Sequence, residues 1–591
     1  MIRRALAALL FSVILASGAS AQSGCTLPYN LTNGTNASAT QVMANFNALQ
    51  SCVSSARTVL KANATYYVGA NLGAVSISIA SPAVVTLASH GLQVNDPVVF
   101  QVPENRTLVT ISEASPAVVT MTNNFVAGQP IQFQSTGFLP YPLVAGTTYY
   151  VLSTGLSGSS FEISTTPGGT AISTARLAVT ASSGTGSAIA FTNSGTNGVK
   201  AGQIVSFVTN SGTLPGNITA GTPYYVAASP APTATVFYVS ATNGGTNVAY
   251  SSAGSAVYIE QTGTNNTVNA MAYNSTYATT TPSIYHYVVQ SGSLPTGIAE
   301  GTLYYVGTTT TNTFTVSTTP SNANPVNTSG SVTGSPIYTV YTGNDANPGT
   351  SATRAGALLT LQHAYNVIVS TLDTAGYTTT IQLADGSYST GAANDLVITS
   401  PWAGGGPVTI VGDPAYLTNV KLLSTTGSAI LSQIPLPGML SVEDLMISTT
   451  SGYILQETSS GPITFIGVTL NGSSTGVVSV VSAGAGSQVM FGSPTFVSGT
   501  FNVPFFAGSP GATLLLNGVT VSMLNVPLFN NSFAYATYVS MLQAFSSTYL
   551  GSATGGRYSA SLNSVVFTNG GGANFFPGNS AGATSSGGQY Q

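Results

Sequence analysis

The C-terminal half of the chain repeats a four-residue pattern at a nearly constant interval, and few folds can accommodate such a repeat. The pattern is a small polar residue or glycine followed by apolar, mostly strand-forming residues, and its clearest copy is Asp444-Leu445-Met446-Ile447. Successive copies begin at Asp395, Asn419, Asp444, Gly467, Ser493, Gly518 and Ser564. Their offsets are 24, 25, 23, 26, 25 and 46 residues, the last being two intervals of 23. A period of this length suits one coil of a parallel β-solenoid, which we predict over residues 341–570.

The residues before the first coil predict a cap for the solenoid. Apolar residues recur at helical spacing between Leu358 and Thr371, namely at Leu361, Ala364, Tyr365 and Ile368. An uncapped solenoid exposes an apolar end and an unpaired strand edge to water. We therefore expect this short helix to cover the first coil.

Several segments of the C-terminal half resemble a known group of proteins. The run from Tyr341 through Gly343-Asn344-Asp345 to Leu361-Gln362-His363-Ala364, followed by Thr380 to Tyr388, resembles the opening of pectin-lyase-like right-handed β-helix proteins, which include phage tailspikes. The ending, Phe576 to Gly582 and Gly587 to Tyr590, is similar to the C-termini of phage tail proteins. The resemblance implies a right-handed parallel β-helix, followed by a Gly/Ser-rich tail at 571–591.

A second repeat fills the middle of the chain. Gly146-Thr147-Thr148-Tyr149-Tyr150-Val151 returns at Gly221 to Val226 and at Gly301 to Val306, at spacings of 75 and 80 residues. These spacings predict tandem small β modules at 74–180, 181–260 and 261–340, with an incomplete copy at Ser81 to Thr86. The paired tyrosines suggest sugar stacking, but adjacent strand residues point to opposite sides. We favour one buried and one half-exposed tyrosine in each module.

The N-terminus has the form of a secretory signal at residues 1–21, with Arg3 and Arg4, an apolar run and Ala19-Ser20-Ala21. The alternative, a membrane anchor, needs a longer apolar run. We therefore expect a secreted or cell-surface protein. A head at 22–73 follows, and a disulfide between Cys25 and Cys52 would close a loop of about 28 residues, worth on the order of 3 kcal/mol.

A helix is expected within the head, from about Ala39 to Arg57. Its apolar residues Val42, Phe46, Leu49 and Val53 form one seam at spacings of 4, 3 and 4. The seam can pack on its own domain or form a short trimeric coil. The predicted fold class is thus all-β: tandem β modules and a C-terminal right-handed parallel β-helix, after a short N-terminal helical segment.

The composition excludes several classes of partner. Charged residues make up only 4% of the chain and the net charge is −4, so we expect no binding to nucleic acid or to an anionic membrane surface. No stretch after the N-terminal signal is long and apolar enough to cross a bilayer, so we expect no insertion into a membrane. The three histidines, His90, His286 and His363, are isolated in sequence, so no metal site or cofactor is indicated. A surface rich in hydroxyl and amide groups suits an extracellular fibre.

Few residues could support catalysis on a polysaccharide, which needs paired carboxylates or an acidic site with a base. In the repeat register, Asp395 and Asp444 occupy equivalent positions two coils apart, with Asn419 between them and Lys421 beside it. Stacked coils would separate the two carboxylates by roughly 10 Å. These are also ordinary turn residues, and we favour that interpretation. A second candidate pair is Glu443 with Glu457.

These patterns predict an exported structural or adhesive fibre-like protein that recognises or coats an extracellular surface, most simply a polysaccharide. The alternative is a polysaccharide lyase or glycoside hydrolase of tailspike type. We also expect a homotrimer, since the β-helix is poor in charge and its last third is crowded with aromatic residues. A monomer with these residues turned inward is the competing possibility.

Overall fold

The computed structural model describes residues 29, 38–54, 57–389 and 396–591, apart from gaps at 138, 141, 194–198, 200, 202–203, 210–211, 221, 223, 243, 262–284, 426, 451, 473–478 and 483–484. Over these residues the fold is nearly all β, as predicted, with small barrels and a C-terminal parallel β-solenoid. Its α-helices in the described residues are Ala39–Ser54 and Leu361–Thr371, and its 3-10 helices are Thr185–Ser187 and Pro320–Asn322.

The solenoid consists of three stacks of parallel strands. The first stack is a ten-stranded sheet of Ala64–Val68, Thr379–Leu383, Val408–Val411, Leu440–Glu443, Pro462–Ile466, Gln488–Phe491, Thr513–Leu515, Met541–Gln543, Val565–Phe567 and Gln589–Tyr590. The second stack contains Gly386–Tyr388, Val420–Ser424, Met446–Thr449, Val468–Gly472 and Thr495–Phe501. The third contains Leu396–Ile398, Ile430–Ser432, Leu455–Glu457, Ser479–Ser482 and Val503–Ala507.

The second and third stacks join at the C-terminal end of the solenoid. The long strand Thr520–Ala536 belongs to both, and beyond it lie Thr548–Leu550, Thr554–Ala560 and Ala583–Thr584. At the other end, Thr58–Val59 pairs with Leu372–Asp373. The β-helix therefore includes strands on both sides of the 341–570 segment expected from the sequence, because Ala64–Val68 forms its first rung and Gln589–Tyr590 its last.

Apolar residues that recur in register fill the interior of the coils. Ile381, Ile410, Val442, Phe465 and Phe491 occupy one column of the first stack, and all five are buried. The last two rings stack with centroids 5.1 Å apart. Burial of each such side chain contributes about 1.5–3 kcal/mol relative to exposure, so the repeat stabilises the fold through its inward-facing column.

The middle of the chain forms three modules that are nested rather than tandem. A first closed barrel comprises Ala70–Ile77, Val84–Thr86, Pro97–Gln101, Leu303–Thr309, Thr313–Ser317 and Tyr338–Thr342. A second closed barrel comprises Thr107–Ile111, Val118–Thr120, Pro130–Ser135, Thr148–Val151, Ser160–Ser164 and His286–Gln290. A seven-stranded sheet comprises Leu177–Ser183, Ile189–Thr192, Ile204–Thr209, Tyr224–Val226, Val236–Phe237, Val239–Ser240 and Val257–Gln261.

Each module is inserted into a loop of the one before it. The seven-stranded sheet lies within the second barrel, which lies within the first, which itself interrupts the β-helix after its first rung. The segments 74–180, 181–260 and 261–340 therefore do not each close a module of contiguous chain. The copy at Ser81 to Thr86, which resembles the start of a separate module, contributes a strand to the same barrel as the copy at Gly301 to Val306.

The repeated tyrosine pair has a structural role in these modules. The first tyrosine of each copy is buried, and its hydroxyl accepts a hydrogen bond from the backbone N–H five residues earlier: Val144 to Tyr149, Thr219 to Tyr224 and Ala299 to Tyr304, at 2.8–2.9 Å. Its neighbour is half-buried in two modules, as predicted, whereas Tyr225 is buried. The tyrosines anchor a turn rather than form an exposed stacking surface.

The predicted cap helix is confirmed. Helix Leu361–Thr371 begins after Thr360, whose side chain accepts from the N–H of His363, and it buries Leu361, Ala364, Tyr365 and Ile368. The side-chain amide of Gln362 replaces a missing strand at the open edge of the third stack. It donates to the carbonyl of Val397 (3.1 Å) and accepts from the N–H of Val397 (2.7 Å), so the edge is closed without a further strand.

Candidate functional site

A column of polar residues follows the turn from the first stack to the second. Gly386 pairs with Val420, and Lys421 with Met446, so Asp385, Asn419 and Asp444 lie one above another in successive coils. We call these three residues the ladder. The next rung is Gly467, where φ is +64° and an added Cβ would lie 2.3 Å from Oδ1 of Asp444. The ladder therefore ends at a residue whose left-handed backbone favours glycine and whose Cβ position is taken up by the side chain of Asp444.

The ladder corrects the predicted pairing of Asp395 with Asp444. Asp395 lies outside the described residues, but the strand after it, Leu396–Ile398, pairs with Ile430–Ser432 in the third stack rather than with Val420–Ser424. The residue two coils before Asp444 is instead Asp385. The coil that separates Asp385 from Asn419 is longer than the repeat interval, so alignment at a constant period selects the wrong aspartate.

Two further carboxylates, those of Asp413 and Glu443, lie beside the ladder and raise the pKa values of its two aspartates. Burial, followed by the charge of Asp413 and a hydrogen bond with it, raises the pKa of Asp385 to about 6, while the hydrogen bond from Asn419 opposes the shift. Burial, followed by the charges of Glu443 and Asp413, raises the pKa of Asp444. All four acids are half-buried. They form a compact cluster of carboxyl groups in which burial and mutual repulsion favour the protonated form of Asp385.

The middle rung is held by a residue from outside the β-helix. Asn419 donates through Nδ2 to Oδ1 of Asn105 (2.6 Å) and, at 3.4 Å, to Oδ2 of Asp385. The N–H of Asn105 donates back to Oδ1 of Asn419 (2.9 Å). The reciprocal pair fixes which end of the Asn419 amide faces Asp385. Asn105 lies between the two barrels, and no periodicity in the sequence connects it to the ladder.

The surroundings of the ladder supply both polar and aromatic groups. Ser441 donates to Oε1 of Glu443 at 2.6 Å, which orients that carboxylate. Tyr416, in the loop between Asp413 and Asn419, is 39% exposed. Carboxylates, amides and an exposed ring are the groups that recognise hydroxyl-rich ligands. Asp385 and Asp444 are roughly 10 Å apart, since two coils separate them, which is near the upper end of the range for an inverting glycosidase.

Lys421, a candidate catalytic residue from the sequence, is buried and forms ion pairs with residues outside the β-helix. Its Nζ contacts Oε1 of Glu104 at 3.0 Å, Oε1 of Glu300 at 3.1 Å and the carbonyl of Val102 at 3.3 Å. Burial lowers the pKa of Lys421. The charges and hydrogen bonds of Glu104 and Glu300 together raise it by more than burial lowers it, so the pKa lies above its ordinary value. A buried lysine held protonated by two carboxylates is a poor proton acceptor.

Glu457, the predicted partner of Glu443, lies inside the coil. It is 0% exposed, and neither carboxyl oxygen has a hydrogen-bond partner among the described residues. Leu455 and Glu457 face the interior, whereas Gln456 between them is half-buried. Burial raises the pKa of Glu457 to about 8. The two glutamates are therefore on opposite sides of the solenoid wall and cannot act on one substrate.

The other predicted features can be placed only in part. Cys25 lies outside the described residues, so the disulfide with Cys52 remains a prediction, as does the signal at 1–21. Within the described ranges, no group of three or more His, Cys, Asp and Glu side chains has the arrangement of a metal site, and no helix is both long and apolar enough to cross a membrane. Comparison of the chain with protein-family models, curated proteins and solved structures finds no match.

Proposed function

We propose that this chain is an exported structural protein that recognises an extracellular glycan through the side of its parallel β-helix. The observation that carries the proposal is the ladder Asp385-Asn419-Asp444, whose acidic neighbours and exposed Tyr416 line one turn of the solenoid. Carboxylate and amide oxygens at the coil spacing of about 4.8 Å can accept hydrogen bonds from the hydroxyl groups of successive sugars. The solenoid provides the rigid support that such a surface needs.

The resemblance to pectin-lyase-like β-helices and phage tailspikes supports an association with polysaccharide. The secretory-type N-terminus supports export, and the few charged residues suit an extracellular fibre. Homotrimerisation belongs to the same proposal, because Met43 and Phe46 of helix Ala39–Ser54 are exposed in a single chain. Sedimentation of the mature chain at micromolar concentration tests it, and a single species of monomer mass would refute it.

A glycan-binding assay tests the proposed function. The mature chain should bind at least one capsular or pectic polysaccharide, and Asp385→Asn and Asp444→Asn should each weaken binding about tenfold, since each removes a charged hydrogen-bond acceptor. Asp373→Asn makes the same change outside the ladder and should leave affinity unchanged. If neither ladder variant weakens binding, the ladder is not the site.

A second candidate function is cleavage of the glycan, as a lyase or hydrolase. It is favoured by the contact between Asp385 and Asp413, because an acid with a pKa of about 6 beside a second carboxylate could hold and transfer a proton. Incubation with the bound polysaccharide would then produce new reducing ends or unsaturated products. Loss of these products in Asp385→Asn at a polysaccharide concentration that still saturates this variant would establish the enzyme over the adhesin.

A further inference from the structure

The segment that joins the two barrels lies across the side of the β-helix. We call residues 102–106 the strap; it has no regular secondary structure and runs from strand Pro97–Gln101 to strand Thr107–Ile111. Three consecutive side chains of the strap hold the second stack. Glu104 pairs with Lys421, Asn105 pairs with Asn419, and the guanidinium of Arg106 donates to Oγ1 of Thr469.

The first barrel, the strap and the second barrel together cover the outward-facing column of the second stack: Gln101 and Glu300 contact its first residues, and Arg106 and Tyr287 contact residues further along it. This column consists of Ser387, Lys421, Met446, Thr469, Phe496 and Ser522, which are in register and at most 9% exposed. Arg106 lies over the ring of Phe496 at 4.5 Å, and Tyr287 contacts the same ring edge-on at 5.9 Å. The second barrel thus conceals an aromatic ring and a hydroxyl beside the ladder.

The two barrels are attached to the β-helix in different ways. The first barrel contributes Val99 and Tyr341 to the hydrophobic core of the β-helix, so the two are fused. The second barrel has a separate core. Its contacts with the solenoid include the Arg106 interactions, the Tyr287 ring and a hydrogen bond from the N–H of Ser135 to Asn525 (3.1 Å). Units with separate cores commonly move relative to each other unless the interface between them is large and hydrophobic.

Several polar groups where the second barrel meets the β-helix lack hydrogen-bond partners. Nε and Nη1 of Arg106 and Oε1 of Gln290, whose backbone N–H donates to the carbonyl of Glu104 (2.7 Å), are buried, and none of these side-chain atoms has a hydrogen-bond partner among the described residues. A buried donor or acceptor without a partner is unfavourable, and a buried charge more so. Asn105 also has φ +42°, a left-handed conformation that costs free energy outside glycine. Separation of the strap and the second barrel from the β-helix would hydrate these groups and relieve that backbone strain.

We propose that the strap is a breakable joint, and that the second barrel and the module it carries swing off the β-helix to expose Phe496 and Thr469 as an extension of the ladder. Resting on the proposed function, the occupant of the opened surface is a further sugar of the same glycan. Its ring would stack on Phe496, and its hydroxyl groups would meet Thr469 and Asn419. The fixed first barrel, held by Lys421 and Glu300, is the base of the hinge.

Thiol labelling tests the joint without any glycan. Ser522→Cys places a nearly isosteric thiol in the covered column, and its rate of reaction with a soluble disulfide reagent reports opening, after subtraction of the rate for the parent chain, which retains Cys25 and Cys52. Asn105→Ala removes the hydrogen bond that Nδ2 of Asn419 donates to Oδ1 of Asn105, and it should raise the rate about tenfold. Arg106→Met keeps a stem against Phe496 but removes the buried N–H groups at Nε and Nη1 that lack partners, and it should lower the rate.

The outcomes separate the joint from the proposed function. A rate that equals that of global unfolding and is unchanged by Asn105→Ala overturns the joint, whether or not the chain binds glycan. A wild-type chain that labels as expected but binds no polysaccharide refutes the proposed function and leaves the joint in place. If Arg106→Met, which leaves the ladder intact, labels more slowly while glycan affinity does not fall, the opened surface is not part of the glycan site.

Discussion

Glu457 makes the stability of the β-helix depend on pH in an unusual direction. Its carboxyl group is completely buried in the coil and has no hydrogen-bond partner in the described part of the chain, and it lies in register with Ser432 and Ser482. Burial therefore favours the protonated form, with a pKa of about 8 against an ordinary value of 4.5. At neutral pH the folded chain holds a proton at Glu457 that the unfolded chain releases.

The sign and size of the effect follow from this difference. Because the folded state binds the extra proton, the free energy of unfolding falls as pH rises above 4.5 and continues to fall until the pH passes 8. The shift corresponds to about 5 kcal/mol over that window. Glu457→Gln has nearly the same shape and does not titrate. It should match the wild type within about 1 kcal/mol at pH 4 and be more stable by up to about 5 kcal/mol above pH 8.

Urea unfolding at pH 4, 6 and 8 measures the effect. Trp402, the only tryptophan of the chain, is buried in the β-helix core, so its fluorescence reports that part of the fold. Glu443→Gln makes the same chemical change on the half-buried outer side and should retain the pH dependence of the wild type. A difference between wild type and Glu457→Gln that stays constant from pH 4 to pH 8 would refute the reasoning.

Two further substitutions test the cap and the ion pairs. Gln362→Ala leaves the N–H and carbonyl of Val397 unpaired at a strand edge, and it should lower the free energy of unfolding by about 1–3 kcal/mol and promote aggregation, as measured by urea unfolding and light scattering. Lys421→Met leaves Glu104 and Glu300 facing each other without a counter-charge, and should cost about 3–5 kcal/mol. Adding Glu104→Gln and Glu300→Gln should recover most of that loss, and no recovery would contradict the assignment.

The coil fold was predictable because its cause is local and periodic. Asn419, Asp444 and Gly467 are spaced as the register requires, and the cap helix buries the four residues chosen from its spacing. The alignment fails where coil length changes. Thr469 pairs with Phe496 and not with Thr495, and Val420 pairs with Gly386, far upstream of Asp395. Alignment of the repeats at a fixed period assigns the wrong partner residues wherever a coil contains an inserted residue or a long turn.

The candidate site was harder to predict because it depends on contacts between distant segments. Asp385 appears in the sequence as one turn residue of several, and its raised pKa arises from burial and then from the charge of Asp413 in the next coil. Asn105 is separated from Asn419 by 314 positions. Lys421 was a reasonable catalytic candidate until Glu104 and Glu300 were placed beside it. Nesting of the modules brings these groups together, and repeat spacing alone does not distinguish a nested from a tandem order.

The nested insertions impose an order on biosynthesis and folding. The first rung of the β-helix cannot pair until more than three hundred residues have followed it, as the bond from the N–H of Thr378 to Asn63 across 315 positions illustrates. The seven-stranded sheet is the only module of contiguous chain among the three, so it can fold as soon as it leaves the ribosome. Its closure shortens the loop that the second barrel must close, and the second barrel does the same for the first. Assembly from the inside outwards thus converts a chain of very high contact order into a series of short loop closures, with the solenoid as the last step.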